Sequence, residues 1–168
     1  MRTSMLRRLL LPALVAATVL GGCSTPGPSL VGSDRAAVQS RYGAPAYRTP
    51  LAGGGERLFY PVGSLQQEVW AVDIEANGRV TQVRQVHTAE NFARVRVGVD
   101  TDADILREFG RPRVTQPYSM ADQVGWMYPY LENGFLNSEM VIFFDRQGVV
   151  RRTENGPDPR FLNDGNRR

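Results

Sequence analysis

The chain has 168 residues, 42% of them hydrophobic, with 20 arginines against 17 acids, one histidine and one cysteine. A single cysteine excludes a disulfide framework, and a single histidine beside it leaves too few ligands for the familiar zinc sites. The formal charge of +3 belongs to residues 1–22, which hold three arginines and no acid; the rest balances at 17 (20 − 3) against 17, so the high isoelectric point does not argue for nucleic acid.

Residues 1–22 read as a secretory signal. Arg2, Arg7 and Arg8 precede an apolar run from Leu9 to Leu20, whose 12 residues (20 − 9 + 1) are too few for a membrane span of about 20. Directly after it stands Leu20-Gly21-Gly22-Cys23. This segment resembles a bacterial lipobox, which implies cleavage before Cys23, a thioether from its thiol to diacylglycerol, and acylation of the new amine. Several acyl chains, each gaining about 0.8 kcal/mol per buried methylene, anchor far more firmly than one. Ser24, rather than Asp, after the cysteine implies delivery to the outer membrane in lipoproteins of this kind. Residues 23–31 are expected to be a flexible linker, with a Pro, Gly and Ser stretch reaching at most about 25 to 30 Å.

Residues 32–87 form a first structural unit. Ser33 is the expected N-cap of a short helix whose apolar stripe runs through Val38 and Tyr42 and stops at Gly43-Ala44-Pro45. Arg57 to Val62 is an aromatic strand that Pro61 assigns to an edge or a bulge. Val69 to Glu75 alternates, with Trp70, Val72 and Ile74 on one face and Ala71, Asp73 and Glu75 on the other. Asn77-Gly78 is a strong hairpin turn into a last strand, Arg79 to Val86, whose valines recur every third residue.

Residues 88–153 repeat the pattern. Thr88 caps a possible linking helix, and Thr101 caps a second one, with Asp102 and Asp104 in its first turn, Ile105, Leu106 and Phe109 on its buried face, and Gly110-Arg111-Pro112 ending it. Gly43 to Gly110 and Pro45 to Pro112 are both separated by 67 residues, Tyr60-Pro61 to Tyr128-Pro129 by 68, and Gly78 to Gly148 by 70. An ordered set of matches with slow drift in the loops is what a duplicated unit shows. Val124 to Tyr130 and Glu139 to Asp145 are the strands, and the second is apolar on both faces, with Met140, Ile142 and Phe144 on one and Val141 and Phe143 on the other. Helices cover only one of those faces, so the other repeat or a partner must cover the second, and Val141 and Phe143, or their opposite set, are the candidate interface residues. Residues 154–168 are polar and turn-rich, and read as disordered or loosely docked through Phe161 and Leu162. The expected fold is therefore α+β, with two tandem repeats, each a short helix or helix pair on a three-stranded antiparallel sheet. A unit of roughly 60 residues is marginal alone, so the two should pack together.

The lipobox, the helix ending in hydrophobic-Gly-x-Pro, the aromatic strand and the hydrophobic-x-hydrophobic-x-Asp-x-x-Gly-x-Val hairpin together resemble the BamE (SmpA/OmlA) family of outer-membrane assembly lipoproteins. The residues concerned are Tyr42, Gly43, Pro45, Asp73, Gly78 and Val80 in one copy, and Phe109, Gly110, Pro112, Trp126, Tyr128, Asp145, Gly148 and Val149 in the other. Two copies in tandem are similar to the β-lactamase inhibitor protein, which offers a concave sheet surface to an enzyme. The resemblance implies a non-catalytic outer-membrane lipoprotein, facing the periplasm, that binds envelope proteins such as the β-barrel assembly machinery; the alternative is an inhibitor or regulator of a periplasmic enzyme.

No catalytic constellation competes with that expectation. His87 has no serine in a nucleophile elbow to serve. Gly53-Gly54-Gly55 lacks the Gly-Lys-Ser/Thr of a phosphate loop. Asp100, Asp102 and Asp104 lack the glycine and distal glutamate of a calcium loop, and capping explains them better. No cofactor, metal or nucleic-acid partner is expected.

Overall fold

A computed structural model describes residues 25–162. Cys23, the signal segment 1–22 and residues 163–168 lie outside the described residues.

The protein is mixed α+β, built on two four-stranded antiparallel sheets. The first contains β1 (Tyr47–Pro50), β2 (Glu56–Val62), β3 (Glu68–Ile74) and β4 (Val80–Gln85); the second contains β5 (Val114–Tyr118), β6 (Gln123–Glu132), β7 (Leu136–Phe144) and β8 (Val150–Pro157). Each is a simple meander in chain order. Helix α1 (Arg35–Tyr42) precedes the first sheet, and α2 (Ala89–Phe92) and α3 (Asp102–Phe109) precede the second.

The sheets have four strands where three are expected, because β1 and β5 join as outer strands. Both are short and carry a proline, Pro50 or Pro117, which an edge strand tolerates since its outward N–H needs no partner. Their presence moves β2 and β6 to interior positions, against the edge that Pro61 and Pro129 suggest. Phe59 O accepts from Ala46 N, so odd-numbered residues of β2 turn their backbone groups toward β1; β1 begins at Tyr47, opposite Phe59, and Pro61 lies beyond it. Arg113 N likewise donates to Met127 O, and Pro129 lies beyond the start of β5. Each proline thus stands where the neighbouring strand has ended, and no ladder bond is lost.

The irregular valine spacing of β4 has a similar local cause. A bulge shifts the register between Asp73 and Ile74, so that Val80 lies opposite Ile74 and Val83 opposite Val72, on one face, while Val86 reaches the other.

Helix α1 is capped by Asp34, whose carboxylate accepts from Ala37 N, rather than by Ser33, whose hydroxyl turns back to Leu30 O. Thr101 and Asp104 form a full capping box on α3, and Thr88 caps α2. Gly43 and Gly110 end their helices at φ of 76° and 78°. At Gly110 a side chain is also excluded by space, since a Cβ would stand 3.0 Å from the Phe59 ring.

Two cores follow. Val38 of α1 packs with Leu58, Tyr60, Val72, Ile74 and Val80, and Leu30 joins them, so the residues before α1 are docked rather than a free linker as far as 31. Pro28–Leu30 forms a short 3-10 turn, and Gly32 N donates to Val80 O. Phe92, Ile105 and Phe109 pack on Tyr128, Tyr130, Ile142 and Phe144, with Phe92 stacked on Phe109 at 4.7 Å.

The polar end is also more ordered than its composition suggests. Strand β8 runs to Pro157 and a 3-10 turn follows at Pro159–Phe161. Asp158, 0% exposed, holds Arg160, and the Arg160 guanidinium donates to Leu65 O at 3.2 Å. Burial raises the Asp158 carboxyl, and the bonds and charge of Arg160 outweigh it, leaving a lowered pKa.

Candidate functional sites

The back of the first sheet is where the two halves meet. Arg57 on β2 forms a bidentate pair with Asp73 on β3, Nε to Oδ1 at 2.6 Å and Nη2 to Oδ2 at 2.8 Å. Its remaining nitrogen, Nη1, donates to Arg107 O and to Glu108 of α3, both at 3.0 Å, and Arg84 on β4 takes the other Glu108 oxygen at 2.8 Å. Burial raises the Glu108 carboxyl, but Arg84 and Arg57 outweigh it and hold it below the usual range. Ala71 and Asp73, on the face of β3 opposite Val72 and Ile74, are both buried, Asp73 by this ion pair and Ala71 among Phe59, Val69 and Val86.

His87, just after β4, completes the joint. Its Nδ1 lies 3.3 Å from Pro129 O and its Nε2 3.1 Å from Phe109 O, and it meets the Tyr128 ring edge-on at 5.4 Å. Burial pushes its pKa down to about 4, despite the two carbonyls, so the ring is neutral at pH 7. A neutral imidazole carries one N–H and satisfies one carbonyl at a time. The position is structural: both ring nitrogens face backbone.

The aspartates at 100, 102 and 104 are held by Arg96 and by the first turn of α3. Among the described residues no three His, Cys, Asp or Glu side chains stand together as a metal site.

The candidate interface pair divides. Val141 is half-buried on the outer face of the second sheet, but Phe143 is 1% exposed. Tyr118 meets the Phe143 ring edge-on at 5.1 Å, and the Arg152 guanidinium lies 3.4 Å over it. Tyr118 can lie there because Gly125, opposite Phe143 on β6, has no side chain; a Cβ would stand 2.8 Å from the tyrosine ring. The second sheet therefore covers Phe143 with its own residues, at the positions where the first sheet has the paired Arg57 and Asp73.

Exposed apolar side chains gather elsewhere, at the ends of the β2–β3 and β6–β7 hairpins. Leu65, Phe135, Leu136, Phe161 and Leu162 are all exposed, Phe135 by 71%. Gln67 Nε2 donates to Asn137 Oδ1 at 2.8 Å, Asp158 N to Asn137 O at 2.9 Å, and Arg160 to Leu65 O, which ties the two hairpins and the final turn into one rim. The N-terminal segment docks beside Val80, at the β3–β4 turn. The rim is at the opposite end of β3, whose seven residues span about 24 Å. The traces of this rim in the sequence are the apolar pair Phe161-Leu162 in a polar tail and a phenylalanine placed directly after a turn dipeptide, Asn133-Gly134-Phe135.

A groove of ≈ 560 Å³ runs along the edge strand β1, lined by Arg35 and Gln39 of α1, by Tyr47, Arg48 and Leu58, and by Arg111 of the second half; a smaller recess of ≈ 150 Å³ lies between the halves, lined by Phe59, Val69, His87, Phe109 and Arg113. Arg111 lies 5.1 Å over the Tyr47 ring.

By fold the chain is a mixed α+β protein of two antiparallel sheets whose second-half helix closes the back of the first. No family model matches the chain, and comparison with curated proteins finds no match. Two solved structures are similar at a low level. A DUF4309 family protein, YjgB, from Bacillus subtilis has 14% identity and a TM-score of 0.32, with 75% of this chain and 79% of that one covered. An extracellular protein containing a SCP domain from Bacillus anthracis has 12% identity and a TM-score of 0.30, with 93% and 50% covered. Likenesses at these scores carry no argument about fold or function.

Proposed function

We infer that this chain is a non-catalytic outer-membrane lipoprotein of the BamE-like kind, in a tandem two-copy form, that binds an envelope protein and supports β-barrel assembly. The observation that carries the reading is the apolar rim of Leu65, Phe135, Leu136, Phe161 and Leu162, at the far end of the first sheet from where the tethered segment docks. With Pro28–Leu30 docked, only about five residues separate Cys23 from the fold, a reach of roughly 17 Å. A short tether at one end turns the other end away from the membrane, and exposed apolar clusters of this kind mark contact sites.

Capture of the tagged, lipidated protein from solubilised envelopes, identified by mass spectrometry, tests this. The β-barrel assembly machinery is expected in the parent and lost with Cys23→Ala, and reduced with Phe135→Ser and Leu136→Ser together. Recovery of a single periplasmic enzyme, retained in Cys23→Ala, replaces the reading with that of an enzyme inhibitor.

A further inference from the structure

We propose that the free edge of β8 pairs with the same edge of a second copy of this chain, antiparallel, about a two-fold axis at Asn155. With eight residues β8 is the longest of the outer strands, and among the strands it pairs with β7 alone. The other edges are short or partly closed. Strands β1 and β5 carry Pro50 and Pro117, and on β4 Val80 N donates to Ser33 O while Gln85 O accepts from Asn91 Nδ2 at 3.1 Å. An open row of backbone groups is a template for another strand.

The bonds at the two ends of β7 fix which groups of β8 face outward. Asp145 N donates to Val149 O, and Asp158 N to Asn137 O, so odd-numbered residues of this stretch turn their backbone toward β8. Arg152, Glu154 and Gly156 stand opposite Phe143, Val141 and Glu139 and bond inward, which leaves Thr153, Asn155 and Pro157 facing out. Pro157 has no N–H to strand there. The N–H and C=O groups of Thr153 and Asn155 have no partner among the described residues. The Asn155 side chain leaves the edge clear, because its Oδ1 accepts from Tyr130 OH at 2.9 Å. At Val150 the edge is already taken, by Asp100 O and Gly98 N.

These constraints select one way for the strand to meet itself. Centred on Thr153, the pairing lays Gly156 of the other copy against Val150, where residues 98 and 100 already sit. Centred on Glu154, it sets that carboxylate opposite its own copy, and like charges directly opposite are unfavourable. Centred on Asn155, it lets Asn155 exchange both bonds with Asn155 of the other copy, each Thr153 N–H meets a Pro157 C=O, and Glu154 lies opposite Gly156. In that register residue 160 of one copy falls opposite Val150 of the other. The final turn, with Phe161 and Leu162 exposed, thereby reaches the segment that carries the exposed Val97 and Val99. The contact is the same patch on both copies, so it closes as a dimer. It shares Phe161 and Leu162 with the apolar rim but does not rest on the function inferred from that rim.

The test is sedimentation of the full-length protein, purified in detergent and corrected for micelle mass, with disulfide trapping of the register. A reversible monomer–dimer equilibrium is expected, and a monomer at about 100 μM overturns the proposal. Thr153→Pro removes only an outward N–H and should weaken dimerisation tenfold or more, whereas Thr153→Ala should leave it unchanged; equal dimerisation by parent and proline variant overturns the proposal. Glu154→Cys and Gly156→Cys place their thiols on directly opposite residues, where Cα atoms of a non-hydrogen-bonded pair stand about 4.5 Å apart. A Cβ at Gly156 meets nothing within 4 Å. Under mild oxidation the two variants mixed should form a covalent dimer, and each alone far less, with the parent as the background for Cys23. No covalent dimer in the mixture, or as much with either variant alone, overturns the pairing about Asn155. Where Thr153→Pro departs from the parent in circular dichroism, the cysteine pair decides.

Discussion

His87 makes a pH-dependent contribution to stability whose sign and size follow from its position. The ring is fully buried, with a folded pKa of about 4 against 6.5 for the free side chain. The unfolded chain therefore takes up a proton as the pH falls through 6.5, while the native chain does not until about pH 4. The stability owed to neutral His87 is complete above the unfolded value and is lost across that window. The full difference corresponds to about 3 kcal/mol, and between pH 7.5 and 5.0 the linkage relation assigns about 2 kcal/mol of it. Urea unfolding at the two pH values, for the parent and for His87→Gln, isolates this group, since the variant keeps an amide donor for one carbonyl and has no titration. The parent should lose about 2 kcal/mol more than the variant between pH 7.5 and 5.0, equivalent to roughly 4 to 8 °C in melting temperature. Parallel losses in the two proteins would refute the argument, because they would place the imidazole in contact with water.

Removal of Arg57 by Arg57→Met leaves Asp73 buried without its partner and Glu108 with one arginine, and should cost about 3 to 5 kcal/mol in chemical denaturation. Gly110→Ala meets both a positive φ and the Phe59 ring, so a loss of roughly 1 to 3 kcal/mol is expected in the same assay; a neutral result would mean that the junction between the halves yields easily. Phe143→Ser should destabilise by roughly 3 kcal/mol or more, as large buried aromatics do, whereas Val141→Ser should stay within about 1 kcal/mol, and partner capture by the Val141 variant then tests that face separately.

How much of this was legible depends on the range of the interaction that decides each element. Helix ends were readable because Thr101, Asp104 and Gly110 act within one turn, and the Asn77-Gly78 hairpin because two residues decide it. The strands β1 and β5 were not, since Tyr-Arg-Thr-Pro and Val-Thr-Gln-Pro-Tyr carry no pattern of their own and are strands only because β2 and β6 offer them an edge. Phe143 is apolar in the sequence whether it is buried or exposed; a glycine on the facing strand and a tyrosine two strands away settle the matter.

The sequence by itself determined a repeat-like α+β arrangement, the caps of α2 and α3 and the hairpin turns, because periodicity, capping and turn chemistry are local. Only the tertiary structure decided that Asp73 is buried with Arg57 and that His87 joins the two halves. Each of these depends on which side chains from distant parts of the chain share one volume, and burial and ion pairing are properties of that volume rather than of any segment.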